Sequence, residues 1–214
     1  MTETKRKTWA VCDAKYVGSL WSELCVDLVL TSPPYYSPNY MSADPWVEMV
    51  TAGLLSAGSI LNKGGVMAII LNEIGHEGQH RKVIANLQEH GYLLFGEDVW
   101  FHGGNLGDDE YDPIFYLSRG YGGHRPRRVH PHRAPPHAWI VINPSCAKKK
   151  VTLFGTLHVD LVYSVIDQFT RPGHLILDPF CGTGVISKVG AEMGRICYGS
   201  DIYFEVVEYA RIHS

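Results

Sequence analysis

Along this chain, short apolar runs alternate with stretches whose apolar residues recur every three or four positions, the pattern of a parallel sheet covered by helices on both faces. Thr8 to Cys12 predicts a short strand ending at Asp13, and Val26 to Thr31 a second that runs into the rigid pair Pro33 and Pro34. Asp44 and Pro45 read as an N-cap and a first-position proline, opening a helix in which Trp46, Met49, Val50, Leu54, Ala57 and Leu61 keep helical spacing. Gly64 and Gly65 break that spacing, and Val66 to Leu71 has the composition of a buried strand. Gln79 to His90 predicts a helix closed by Gly91, followed by strands over Tyr92 to Phe101 and Ile114 to Leu117. Further on, Val159 to Phe169 places Leu161, Val162, Val165, Ile166 and Phe169 on one helix face, and Pro172 with Gly173 ends it before a strand over His174 to Leu177. A glycine-rich turn then leads to a helix from Gly184 to Met193 stopped by Gly194, a strand from Ile196 to Ser200 ending at Asp201, and a last helix from Phe204 to Arg211. The count is seven strands with interleaved helices and no internal repeat, an α/β class.

A length of 214 residues with 45% apolar side chains suits one domain, residues 1–214, with a sizeable core. The start, Met1 to Lys7, is charged, and no apolar run reaches the roughly 18 residues of a membrane helix, so a soluble, cytoplasmic protein with no membrane partner is expected. Cys12, Cys25, Cys146, Cys181 and Cys197 are odd in number and contain no CxxC pair, which suggests neither a disulfide framework nor a zinc ribbon. The net charge of -3 excludes a uniformly basic surface but hides an asymmetry. No acidic residue occurs from Arg119 to Lys150, while Arg125, Arg127, Arg128, Arg133, Lys148, Lys149 and Lys150 supply positive charge for phosphate contacts. The bland alternative for that segment is a solvated loop. Its histidines, His124, His130, His132 and His137, have no cysteine partners and no helical i,i+4 pair, so no metal site is expected.

Polar residues gather at the C-terminal ends of the predicted strands. In Thr31-Ser32-Pro33-Pro34-Tyr35, two prolines stiffen the backbone and expose the carbonyl of the first. An exocyclic amine conjugated to a heteroaromatic ring is a poor nucleophile, because its lone pair is delocalised into the ring. The Ser32 hydroxyl and the Pro33 carbonyl, accepting from that amine, favour a tetrahedral nitrogen whose lone pair points at a methyl donor. Tyr35 can stack on the base, and such a pocket reaches its target only in a single strand or after the base is flipped out of a duplex. A second signal is the run from Leu175 to Gly184, a strand passing through a GxG turn into a helix, where glycines let the backbone close on a ligand. A third is Asp201 at the end of the next strand, placed to accept from both hydroxyls of a ribose. Each signal alone has a bland reading, respectively a rigid surface turn, a tight connection and a helix cap; the three together, each in its strand context, favour a nucleoside cofactor facing an amine. Cys181 lies in the glycine turn rather than in the prolyl pocket, which argues against a cysteine-nucleophile mechanism on cytosine C5.

On these residues the chain resembles the amino-methyltransferases of DNA, in the permuted beta arrangement where the SPPY or DPPY motif precedes the cofactor turn. The resemblance implies a single-domain, Rossmann-like, circularly permuted S-adenosylmethionine-dependent methyltransferase fold, with a seven-stranded, mostly parallel sheet. It implies Ser32, Pro33, Pro34 and Tyr35 as catalytic residues and S-adenosyl-L-methionine as cofactor. The cofactor would be held by Asp13, Thr31, Thr156, His158, Asp178, Phe180, Cys181, Gly182, Thr183, Gly184, Asp201 and Ile202. The match departs near His158, where the family usually has a proline. Residues 119–150 fall where the family inserts its target-recognition region, and their shortness implies relaxed specificity or a short site. Ser32, in place of the family's frequent Asp, looks like the cytosine N4 enzymes. The implied activity is methylation of cytosine N4 in DNA, with adenine N6 in DNA or RNA as the alternative and a non-catalytic nucleic-acid- or cofactor-binding protein of the same fold as a further one. A cognate restriction nuclease is a candidate partner.

Overall fold

The structure, a computed structural model, describes residues 8–71, 78–101, 111–119, 139–141 and 157–213. Its strands are β1 (Trp9–Val11), β2 (Val26–Thr31), β3 (Leu61–Ile70), β4 (Tyr92–Phe101), β5 (Tyr111–Arg119), β6 (Trp139–Val141), β7 (Leu175–Asp178) and β8 (Ile196–Asp201). The helices are α1 (Val17–Leu20), α2 (Ala43–Gly58), α3 (Gln79–Glu89), α4 (Val159–Phe169), α5 (Val185–Glu192) and α6 (Phe204–His213), with a 3-10 turn over Ala14–Tyr16. All strands join one sheet in the order β1-β8-β7-β2-β3-β5-β4-β6. Among the described residues only β5 runs against its neighbours, so this is the mostly parallel α/β sheet expected from the sequence, with one strand more. The addition is the three-residue β6, which pairs in parallel with β4 at the sheet edge.

The strands read as nearly unbroken apolar runs because both faces are covered. Leu28 and Leu30 of β2 enter one core cluster, with Val162, Val165 and Ile166 of α4 and Ile186 and Val189 of α5. Val29, between them, enters the other, with Val17 of α1, Trp46, Val50 and Leu54 of α2, and Val83 and Leu87 of α3. Period-2 alternation within one strand thus feeds two helical layers. Burying a Leu or Val of this kind contributes about 1.5–3 kcal/mol, and the fully buried β2 side chains pin the strand that carries the prolyl turn.

Topology decides where a ligand can sit. From β2 the chain proceeds to β3 on one side, whereas β7, β8 and β1 extend the sheet on the other. The order therefore reverses between β2 and β7, and in open α/β sheets the crevice outside the C-terminal strand ends at such a reversal is the binding position. The antiparallel β5 brings its first residues to that same edge, since Ile114 pairs with Ile70 near the end of β3.

Two local expectations are corrected. Leu61, read as the end of a helical stripe, opens β3 and pairs with Val26, and the pairing shifts register before Leu28 meets Val66. Apolar spacing alone continued the helix, but the parallel pairing with β2 captured the residue, and Gly64 and Gly65 lie inside the strand's span. The N-cap of α2 is Ser42 rather than Asp44. Asp44 lies in the first turn, where its charge favours the helix dipole, and Pro45 lacks an N–H that would have no intrahelical partner there.

Candidate active site

The prolyl turn leaves β2 at a fully buried residue. Thr31 donates its hydroxyl to Asp178 Oδ1 at 2.7 Å, linking the last residue of β2 to the last residue of β7. The strand ends that carry the two main sequence motifs thus touch, and Ser32 and the glycine turn emerge at the same sheet edge. Beyond Ser32, Pro33 is buried and Pro34 exposed. The Pro34 carbonyl accepts from the Trp46 indole N–H of α2 at 2.8 Å, which anchors the backbone of the turn. The Tyr35 hydroxyl donates to Asp112 Oδ2 of β5 at 2.5 Å. Tyr35 is nonetheless 41% exposed, so part of the residue is open to solvent while its hydroxyl end is held inside. Burial of that end, then the Asp112 carboxylate, raise the phenol well above its usual range, with the Ser32 hydroxyl opposing. The phenol stays a neutral donor.

The glycine turn is organised by two carboxylates. Asp178 Oδ1 accepts from Phe180 N–H at 3.2 Å as well as from Thr31. Burial pushes its carboxyl up to about 7, against the Thr31 and Phe180 donors and with a smaller contribution from the Asp201 charge. Asp201 Oδ2 accepts from Gly182 N–H at 3.1 Å, and its Oδ1 from Tyr203 N–H at 3.1 Å. Gly182 has φ +48°, and a Cβ built on it would meet nothing within 4 Å, so the backbone here faces open space that a ligand can fill. A carboxylate has about four lone-pair directions, which leaves Asp201 capacity for a ribose. With Ile202 59% exposed beside it, the turn fits a nucleoside cofactor. Thr183 is half-buried, and Gly184 caps α5 in the left-handed conformation. Cys181 is buried within the turn, its thiol raised by burial and by the Asp178 charge, which suits a packed thiol and not a nucleophile.

Asp13 follows β1 at the same edge, where Cys12 N–H bonds the Asp201 carbonyl at 2.9 Å. Its carboxylate caps the 3-10 turn through Lys15 N–H at 3.1 Å and pairs with Lys15 Nζ. His158 is the N-cap of α4, its Nδ1 accepting from Asp160 N–H at 3.3 Å. Thr31 and Asp178, both expected as cofactor contacts, are hydrogen-bonded to each other. Thr156, Arg125, Arg127, Arg128, Arg133, Lys148, Lys149 and Lys150 lie outside the described residues. Trp46 and Asp112 are the site residues that motif reading missed. The available signal for Asp112 was its place as the last of four acids, after Asp108, Asp109 and Glu110, ahead of the apolar Ile114–Leu117 run.

Helix α2 supports both halves of the site, since it carries Trp46 and packs Gly53 against the glycine turn. A Cβ on Gly53 would lie 2.7 Å from Phe180 Cζ and 2.8 Å from Ala14 Cβ. Gly53→Val is expected to cost about 1–3 kcal/mol by overpacking and to displace Phe180. Chemical denaturation with and without cofactor checks this; unchanged stability together with unchanged cofactor affinity would contradict it.

The family model described as DNA methylase, N6_N4_Mtase, matches residues 97–211. No curated protein matches the chain. Among solved structures, the chain is similar to TTHA0409 of Thermus thermophilus, a candidate DNA modification methylase complexed with S-adenosyl-L-methionine, at TM-score 0.74 and 20% identity over 95% of this chain and 92% of that one. It is similar to the cytosine-N4-specific PvuII DNA methyltransferase at TM-score 0.75 and 16% identity, over 95% and 84%. For the M1.HpyAVI–SAM complex the values are 0.71 and 16%, over 96% and 98%. These likenesses give the chain the Rossmann-like methyltransferase fold. With more than half of its residues matched by the family model, the chain belongs to the N6_N4_Mtase family of DNA methylases.

Proposed function

We propose that the protein transfers a methyl group from S-adenosyl-L-methionine to cytosine N4 in DNA, through the permuted beta arrangement in which the Ser-Pro-Pro-Tyr turn precedes the cofactor turn. The observation that carries this reading is the 2.7 Å bond from Thr31 to Asp178, which roots a base-amine pocket and a nucleoside cradle at one switch point of the sheet. Family membership and the cofactor complexes of similar folds support it.

Bound S-adenosylmethionine supplies an electrophilic methyl group. The Asp201 carboxylate would accept from the ribose hydroxyls, Asp13 and Ile202 would hold the adenine end, and the open backbone at Gly182 would admit the body of the cofactor. On the other side of the cleft, Ser32 Oγ and the Pro33 carbonyl accept from the two amine hydrogens and turn the nitrogen lone pair toward the donor. Tyr35 offers its open face to the flipped base, and stacking offsets the few kcal/mol of unstacking. No covalent enzyme intermediate is involved. Arg125, Arg127, Arg128, Arg133 and Lys148 to Lys150 contact phosphates from residues 119–150, which serve as a short target-recognition region.

Incubation with labelled cofactor and DNA, digestion and mass spectrometry test the reading. The wild type is expected to yield N4-methylcytosine, and Tyr35→Ala about 10- to 100-fold less of it, since aromatic stacking on a base is worth about 1–3 kcal/mol. Equal yields from both proteins would remove the assigned pocket. N6-methyladenine as the product would replace cytosine with adenine, and labelling of RNA alone would change the polymer.

A further inference from the structure

Asp112 belongs to none of the motifs that mark the site, yet it touches one of them. It sits near the start of β5, opposite Trp100 of β4, and the reversed direction of β5 carries it to the edge where β2 and β3 end. Its side chain is 2% exposed and accepts from the Tyr35 hydroxyl. One residue earlier in the turn, the Pro34 carbonyl accepts from Trp46. The Pro34–Tyr35 unit is thereby tied at both ends, at its backbone by α2 and at the tip of its aromatic ring by β5. A tyrosine fixed at backbone and hydroxyl oxygen has its long axis set; the phenolic O–H prefers the plane of the ring, so its aim at Asp112 also biases the ring's rotation about that axis before any base arrives.

We propose that Asp112 is a positioning residue for base methylation: its carboxylate holds the Tyr35 hydroxyl so that the exposed ring face stands ready to receive the flipped base. The proposal rests on the reading of Tyr35 as the stacking residue. A carboxylate acceptor suits the task because charge-assisted bonds from a hydroxyl are short and roughly twice as strong as neutral ones. Alignment of stacking partners acts on the reacting complex, so its loss falls on kcat more than on cofactor binding.

Methyl transfer to DNA by the wild type, Asp112→Asn, Tyr35→Phe and the double variant, with thermal unfolding and cofactor affinity of each, tests the tie. Asp112→Asn is close in shape and keeps an acceptor, and Tyr35→Phe keeps the ring, so one variant perturbs the pair from each side. Each single variant is expected to lose about 10-fold in kcat with cofactor affinity unchanged. The double variant is expected to be no slower than Tyr35→Phe alone, because both changes act on the same bond, and in the absence of the tyrosine hydroxyl Asp112→Asn removes a buried charge left without that donor. Multiplying losses in the double variant, or losses that follow unfolding temperature instead of the pairing, would overturn the proposal. Wild-type rates in Asp112→Asn, with Tyr35→Ala impaired, would remove it and leave the stacking reading standing. Wild-type rates in Tyr35→Ala would remove both.

Discussion

Asp201→Ala is expected to weaken S-adenosylmethionine binding by about a hundredfold or more while the sheet stays folded. A hydrogen bond to a charged group contributes about 1.5–3 kcal/mol, and two ribose hydroxyls on one carboxylate sum to about 3–6 kcal/mol, or roughly two to four orders of magnitude. Partial exposure of Asp201 places the effect toward the lower end. The same carboxylate holds the glycine turn through Gly182 N–H and the entry to α6 through Tyr203 N–H, so alanine also loosens the cradle. Asp201→Asn separates the contributions, because its amide oxygen still accepts from one of these groups while its nitrogen can only donate. Calorimetric titration of cofactor into the three proteins measures the effect, with unfolding temperature as the control for folding. Wild-type affinity in Asp201→Ala would place the ribose elsewhere and dismantle the cofactor half of the site.

Residues with strong backbone preferences made the two halves of the site legible in sequence. Prolines 33 and 34 and the glycines around Cys181 restrict or free the chain at single positions, and each group lies where an apolar run stops. What joins the halves was not legible. Thr31 and Asp178 are 147 positions apart and Tyr35 and Asp112 are 77 apart, and both pairs exist only because β7 and β5 take particular places in the sheet. Strand order is set by long-range pairing, to which local periodicity is blind. The same competition explains Leu61, whose spacing fits α2 but whose pairing with Val26 places it in β3. Trp46 was legible as an apolar position on α2, but its indole N–H finds the Pro34 carbonyl only once α2 is folded back on the turn. Tryptophan at a helix start next to a rigid loop is therefore worth reading for its donor as well as for its bulk.

The buried pair at the root of the site should make stability depend on pH in a direction opposite to ordinary acid unfolding. Asp178 has its carboxyl raised from 3.8 to about 7, chiefly by burial. Below pH about 4 the group is protonated in the folded and unfolded chains alike, and its contribution is fully retained. As pH rises from there to about 7, the unfolded chain releases the proton while the folded chain keeps it, so folding stability falls; above about 7 both are ionised and the loss is constant. At about 1.4 kcal/mol per pH unit the loss comes to about 4 kcal/mol. Asparagine at this position keeps an oxygen to accept from Thr31 and Phe180 and cannot ionise. Asp178→Asn is therefore expected to match the wild type near pH 4 and to exceed it by a margin that widens up to pH about 7 and then stays level. Thr31→Val should act in the opposite sense at neutral pH, costing about 1–3 kcal/mol by leaving the ionised Asp178 without its shortest donor, and should cost less in the Asp178→Asn background. Urea unfolding of the four proteins between pH 4 and pH 8 reads all of these quantities. Parallel pH profiles for the wild type and Asp178→Asn would mean that the carboxyl is ionised in the folded protein throughout the range, and that Thr31 donates to a carboxylate instead of a neutral carboxyl.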